Sequence, residues 1–423
     1  MPSKIKKRGA NSYLLTVTAG YGGDGKQITY TRTVKAVSLI EAKKMYNDFA
    51  SEVQKGNVTD TGKMKLAEFA KKWYQEYCKK ELAPKTQQAY KVHIEKRILP
   101  ELGNNDINKI RPTHIMDFIN KLQEPKFRLD GKNIPLGAES IKYCYRVLSS
   151  MLNDAVQWQI IPFNPCDRVK PPTVKNHAAV NNSFNEEQTI RMLEALDTQP
   201  LKYKAIILLT LATGLRLGEL CGLQWSDLDL QGSFLTINRA SQSLAGYGTF
   251  SKTPKNDSSN RVVTLPESLI PLLKQLKAEQ AAKRLEFGLK KDGGLWEGDQ
   301  DNSNNDRLFT KWNGLPVYVQ TPSQWFHNFL TAYNETIDNN DKLTKEQKDA
   351  QKLPIIRFHD LRHTSGSLLI ANGIPLKNVS SRLGHADIRT TGNIYTHALQ
   401  SVDKQAANIM DNIISKTKKG QAK

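Results

Sequence analysis

The spacing of apolar residues first changes near residue 38, and that change limits the folds open to this 423-residue chain. Ahead of it, Ser12 to Thr18 (S-Y-L-L-T-V-T) and Lys26 to Val34 (K-Q-I-T-Y-T-R-T-V) alternate in the manner of strands, with β-branched and aromatic residues favoured. Gly20 to Gly25 supplies the turn residues of a hairpin between them. Beyond it, Leu66, Phe69, Trp73 and Tyr77 recur three or four residues apart, as one face of a helix does. A period of two and a period of 3.6 cannot share one element. A small sheet followed by helices is therefore expected.

A short first strand near Lys4 to Lys7 completes a three-stranded sheet, closed by one helix from Leu39 to Val53. Ser38 is its N-cap, and Glu41 takes the capping-box position. Residues 1–60 thus form one module, with Gly56 to Gly62 as a linker. Seven basic residues stand against a single acid, Asp24, up to Lys35. A solvated basic face is one reading. A sheet laid in a DNA groove is the other and the preferred one, with Lys4, Lys6, Lys7, Arg8, Tyr13, Lys26 and Arg32 as the contacts.

Residues 61–170 read as a helical domain. Pro84 and Pro112 open helices, Ser140 caps another, and Lys85, Lys91, Lys96 and Arg97 face outward. Pro162 to Lys175 is a proline-rich basic strap, and residues 171–423 mix helices with short strands. The fold class is multidomain, mainly α with small β-sheets. A formal charge of +19 and a pI near 9.5 point to a polyanionic partner. No apolar run is long enough to span a bilayer and no apolar segment follows the basic N-terminus, so a cytoplasmic protein without a membrane partner is expected. Cys78, Cys144, Cys166 and Cys221 lie far apart and read as buried reduced thiols.

The chemistry concentrates between Ile355 and His397. His359, Arg362, His385 and Tyr395 together suit attack on a phosphate ester by a side-chain oxygen, the cations gathering the phosphate and the phenol attacking it. His359 and Arg362 are three residues apart and share a helical face. Asp360 lies beside them, and His363 reads as a supporting or structural residue. Arg216, set among Leu, Ala and Cys, is open to two readings: a structural partner of Glu219, or a phosphate ligand. Thr249 to Lys255 and Arg261 to Pro266 flank a polar N-D-S-S-N turn and read as a hairpin with basic residues near its tip. A lysine there is either a solvated edge charge or an acid for a leaving oxygen. Zinc on His359, His363 and His385 fits poorly: no Glu follows the first His, and Arg362 repels a cation. No metal or cofactor is expected.

A-T-G-L-R-L-G-E-L, S-K-T, H-D-L-R-H-T, L-G-H and N-I-Y-T-H occur in that order. Together they resemble the tyrosine recombinases of the phage-integrase type, over about residues 180–400 for the catalytic match. Residues 61–170 resemble that family's helical core-binding domain, and the first sixty its arm-binding sheet-and-helix domain. The resemblance implies a mixed α/β catalytic domain and assigns Arg216, Lys252, His359, Arg362, His385 and Tyr395 as the catalytic set. Arg216 and Arg362 would clamp the scissile phosphate, and Lys252, favoured over Lys255, would protonate the leaving 5′-oxygen. His359 and His385 would bind the phosphate or move protons, and Tyr395 would be the nucleophile.

The implied function is a site-specific recombinase that integrates or excises a mobile element or prophage through a 3′-phosphotyrosine, without metal or ATP. Implied partners are double-stranded DNA at core and arm sites, a homo-tetramer on that DNA, a DNA-bending protein and an excision factor. The expected setting is a bacterial cytoplasm, at the nucleoid when bound. The tail, Ser401 to Ile414, reads as a helix that docks on its own domain or on a neighbouring protomer. A DNA-binding architectural protein and a relaxing topoisomerase are the competing classes. The first has no use for the phenol or the acid, and the second none for an added DNA reader.

Overall fold

The computed structural model describes residues 4–21, 27–54, 64–171, 183–244, 246, 248–252, 260–288, 306–395, 407, 410 and 411. The chain divides into two compact units, Met1–Asn176 and His177–Lys423.

In the first unit, β1 (Ile5–Gly9), β2 (Ser12–Tyr21) and β3 (Gln27–Lys35) form an antiparallel sheet in that order. Helix α1 (Leu39–Gln54) begins where expected. The Glu41 amide donates to the Ser38 hydroxyl at 3.2 Å, and the Val37 amide donates to the Glu41 carboxylate at 2.8 Å. Leu15 and Val17 of β2 pack with Phe49 and Val53 of α1, and Tyr13 with Ala42. Opposed residues of paired strands share a face. Tyr13, opposite Val34, and Arg32, opposite Leu15, therefore both lie on the helix side.

That placement corrects one expected DNA contact, Tyr13, and leaves Arg32 exposed. Tyr13 is buried, and the Arg32 guanidinium sits 4.3 Å from the Phe49 ring centre and pairs with Glu52 at 2.7 Å. Alternation located both residues in strands; which face α1 covers depends on packing. Lys7, opposite Tyr13, falls on the helix side as well, although it is exposed. Lys6, Thr16, Thr31, Thr33 and Lys35 occupy the other side by the same register, with Lys4 and Arg8 exposed. Lys26 lies outside the described residues.

The helical part comprises α2 (Leu66–Trp73), α3 (Lys79–Glu81), α4 (Pro84–His93), α5 (Leu99–Leu102), α6 (Pro112–Lys121) and α7 (Ala138–Gln157). Phe69, Trp73, Ile98, Phe118, Leu148 and Met151 fill its core. Arg97, expected outward, is buried: it donates to the Phe127 carbonyl at 3.3 Å and lies 3.1 Å from His93 Nδ1. It belongs to a π turn, Ile94–Ile98, whose wider winding shifts it off the α-helical face count. Helix α7 starts at Ala138 with Gly137 as its N-cap, so Ser140 is inside the helix. All four cysteines are buried free thiols.

In the second unit, α8 (Glu186–Leu196), the apolar α9 (Leu201–Thr213) and α10 (Leu217–Gly222) precede the strands. Strands β4 (Leu228–Asp229), β5 (Phe234–Ile237) and β8 (Arg261–Thr264) make one sheet, while β6 (Ala240–Leu244) and β7 (Gly248–Lys252) make another. The expected pairing of the 249–255 and 261–266 segments is corrected: β7 pairs with β6 and β8 with β5. Gly246 and Gly248, at φ +81° and +74°, adopt the left-handed backbone of the close turn between β6 and β7, which competes with the longer polar turn. Helices α11 (Ile270–Gly288), α12 (Thr321–Asp338), α13 (Lys345–Gln351), α14 (Asp360–Ala371), α15 (Leu376–Leu383) and α16 (Ile388–Ile394) follow. Ala205, Ile206 and Leu209 of α9, Leu235, Val263, Phe326 and Leu361 share the core. The polar stretch 335–352 is built into α12 and α13, while 291–305 lies outside the described residues. The expected tail helix is described only at residues 407, 410 and 411, which are helical. Among the described residues no helix is long and apolar enough to cross a membrane.

Candidate active site

Two left-handed glycines shape the floor of the site. Gly214 (φ +65°) ends α9, and an added Cβ there would lie 2.2 Å from Leu383. Gly384 (φ +68°) ends α15, with an added Cβ 2.9 Å from Arg261 Nη1. Both positions require the freedom of glycine and admit no side chain without displacement. They deliver Arg216 to the start of α10 and His385 to the turn after α15.

Arg216 is the N-cap of α10 and pairs with Glu219 while staying partly open to solvent. Its Nη1 donates to Glu219 at 2.8 Å and its Nη2 to the Gly384 carbonyl at 2.9 Å, yet 39% of the side chain is exposed. Glu219 also accepts from Arg261 at 2.8 Å. Burial alone would raise the Glu219 pKa, but the bonds from Arg261 and Arg216 hold it below the usual carboxylate range.

Arg362, on α14, is 1% exposed. Its Nη1 donates to the Gly214 carbonyl at 2.6 Å, and its Nη2 has no hydrogen-bond partner among the described residues. Burial first, then the charges of Arg216 and Arg261, push its pKa down to about 9, with Glu219 opposing. It stays cationic at neutral pH. A buried guanidinium with an unmatched donor beside other cations is costly unless an anion arrives.

Tyr395 directly follows α16 and is 2% exposed, with its hydroxyl 3.5 Å from the Arg362 carbonyl. Its ring rests on Gly366, where an added Cβ would lie 2.4 Å from Cζ. Burial lifts the phenol to about 12, against the pull of Arg362. His385 Nδ1 lies 2.7 Å from the Thr391 hydroxyl, and the Thr391 carbonyl accepts the Tyr395 amide at 3.0 Å. Thr391 is fully buried and couples His385 to Tyr395; it was not singled out from sequence. Its position four residues before the tyrosine, on one helical face, was the available signal.

His359 precedes α14 and keeps an exposed edge, while His363 is half-buried between it and Tyr395. Ring centres are 5.2 Å apart for His359 and His363, and 6.0 Å apart for His363 and Tyr395. The crowded surroundings and nearby cations push His359 and His385 down to about 4, so both imidazoles are neutral at pH 7. The buried Nδ1 of His363 has no partner among the described residues. Asp360 is fully buried and pairs with Arg357 at 2.7 Å.

Lys252 is the last residue of β7, its backbone opposite Ala240, while its side chain and Lys255 lie outside the described residues. The β6–β7 hairpin is anchored to α10, where Gly222 lets the Ser241 amide approach to within 3.1 Å of an added Cβ. Arg307 secures the hairpin by donating to Ser241 Oγ at 2.9 Å and Ser251 Oγ at 2.6 Å, a role no short motif signalled. Arg216, Arg362, His385 and Tyr395 are thus gathered in one site, and His359 is linked to it through His363.

Residues 182–401 match the model of the phage integrase family, and residues 65–123 that of the phage integrase N-terminal SAM-like domain. The chain belongs to the phage integrase family. This family member is 30% identical over 422 residues to a tyrosine recombinase XerC-like protein of Caldanaerobacter subterraneus subsp. tengcongensis, spanning 96% of this chain and 97% of the relative. It is 27% identical over 339 residues to the ICEBs1 integrase of Bacillus subtilis, spanning 80% of each. The solved Tn1549 transposon integrase, in complex with a circular intermediate DNA, shares the fold with a TM-score of 0.62 at 21% identity, covering 82% of this chain and 99% of that one. A lambda integrase tetramer bound to a Holliday junction aligns with a TM-score of 0.50 at 16% identity, covering 92% and 96%. The phage integrase is thereby a site-specific DNA recombinase of the tyrosine type, with the mainly α, small-sheet architecture that its motifs implied.

Proposed function

We propose that Tyr395 attacks the scissile phosphate while Arg216 and Arg362 hold its non-bridging oxygens. The observation that carries this reading is the buried, partnerless Nη2 of Arg362 in the cluster with Arg216, beneath Tyr395. A phosphate oxygen satisfies that donor and balances the cationic cluster. In the transition state, negative charge grows on the equatorial oxygens, where two fixed guanidinium groups stabilise it.

The Tyr395 oxygen bonds to phosphorus, the bond to the 5′-oxygen breaks, and Lys252 gives that oxygen its proton. The phenolic proton leaves toward the neutral imidazoles of His363 and His359, while His385 donates to the phosphate. A 3′-phosphotyrosine stores the energy of the broken bond, and attack by a partner strand's 5′-hydroxyl reverses the step. Neither metal nor ATP enters.

Residues 1–60 form the arm-site reader, 61–170 the core-binding domain and 171–423 the catalytic domain with its tail. The side of the sheet away from α1, with Lys4, Lys6 and Arg8, supplies arm contacts, joined by Thr16, Thr31, Thr33 and Lys35. Lys7 contributes a further phosphate contact, and Lys26 another. A homo-tetramer on DNA, with a bending protein and an excision factor, works in the bacterial cytoplasm. The test is recombination of two attachment sites on one supercoiled plasmid. Exchange of the flanking DNA supports the reading; relaxation of supercoils without exchange would assign the same chemistry to a topoisomerase.

A further inference from the structure

Arg261 has no place in the reaction just described, yet it is more deeply buried than Arg216 and touches two parts of the site. Its side chain is 7% exposed. Nη2 donates to Glu219 Oε2 at 2.8 Å, and Nε donates to the Arg382 carbonyl at 2.9 Å, two residues before Gly384. Glu219 Oε2 also accepts the Arg216 amide at 3.0 Å, so this oxygen is filled twice. The Arg216 guanidinium is left with Oε1 alone, through Nη1 at 2.8 Å.

An arginine facing a carboxylate otherwise favours a two-pronged pair. Such a pair would direct both outer nitrogens of Arg216 at Glu219 and away from a phosphate. It would also break the bond from Arg216 Nη2 to the Gly384 carbonyl, which ties the His385 turn to the site. We propose that Arg261 is a positioning residue: by occupying Glu219 and the 382–384 backbone, it keeps Arg216 in a single-pronged pair and aimed at the scissile phosphate. The role rests on Arg216 being a phosphate ligand. Arg261 thus acts through Arg216.

The test is single-turnover cleavage of a nicked attachment-site duplex by the full chain. The scissile linkage is either an ordinary phosphodiester or an uncharged methylphosphonate. Arg261→Met is expected to slow phosphodiester cleavage by roughly 10- to 100-fold, and methylphosphonate cleavage by less than about threefold, because little anionic charge remains for Arg216 to stabilise. Arg261→Lys keeps the charge without the fork, and should show the same selective loss at about tenfold. It also serves where Arg261→Met fails to fold. Adding Glu219→Gln to Arg261→Met should cost less than the two single losses combined, since both act through one contact.

Equal losses on both linkages would reduce Arg261 to a purely structural part, and wild-type phosphodiester rates in both variants would dismiss the role altogether. A parallel Arg216→Met arm separates the two layers. Undiminished phosphodiester cleavage there would overturn the assignment of Arg216, and this role for Arg261 with it. Slow cleavage there beside normal Arg261 variants would overturn the positioning role alone.

Discussion

At the scale of single residues, function here opposes stability. Arg362 is 1% exposed, carries a partnerless Nη2 and has Arg216 and Arg261 as electrostatic neighbours. Removing such a charge relieves a desolvation cost, and the loss is one hydrogen bond to the Gly214 carbonyl. Arg362→Met is therefore expected to fall within about 1 kcal/mol of the parent in denaturant unfolding, or above it. Its single-turnover cleavage should drop by at least about 100-fold. A variant destabilised by more than about 3 kcal/mol would show instead that the guanidinium is a net structural asset. The same residues show what the motifs conveyed. Arg216 has two readings open in the sequence; the structure shows the pair with Glu219 and leaves 39% of the side chain exposed, as the proposed phosphate contact requires. Thr391 belongs to no motif, its spacing to Tyr395 being the one local signal, and Arg307 acts through hydrogen bonds to distant segments that spacing along the chain does not encode.

At the scale of elements, α14 and α16 set the nucleophile. Tyr395 closes α16 and lies on Gly366 of α14, where a methyl group would sit 2.4 Å from the ring. Gly366→Ala should expel the ring from its seat, lowering stability by about 1–3 kcal/mol. Tyr395 should then become open to nitration in the DNA-free protein. Unchanged nitration, mapped by peptide mass, would mean that α14 yields and the seat persists. Element types were largely legible: the sheet, the α1 cap and the apolar α9 follow from period and capping alone. Faces and pairings were less so. Alternation places Tyr13 in a strand but leaves its side open, since only the docking of α1 decides which side is covered, and Tyr13 lies beneath it. The conspicuous N-D-S-S-N turn favours pairing of the 249–255 segment with 261–266. The tighter glycine turn joins β7 to β6 instead, a choice between two turns that local sequence leaves open. An α-helical period puts Arg97 outward, but its turn is π.

At the scale of the whole molecule, buried neutral imidazoles make the fold acid-sensitive. His93 and His385 are both pushed from 6.5 down to about 4, by burial first and by neighbouring arginines next. Between those values the unfolded chain binds more protons than the folded one. Their contribution to stability is thus fully present above about pH 6.5 and is lost as pH falls toward 4. Thermal unfolding across that window should show a falling midpoint, shallower in His93→Gln for the first unit and in His385→Gln for the second. A midpoint flat from pH 7 to 4 would contradict the burial of these rings.

The central claim concerns one oxygen atom. The wild-type chain, mixed in EDTA with a nicked duplex carrying its attachment site, is expected to form a covalent protein–DNA adduct at Tyr395. Tyr395→Phe should bind the same duplex with unchanged affinity and form none. An equal yield of adduct from Tyr395→Phe would place the nucleophile elsewhere.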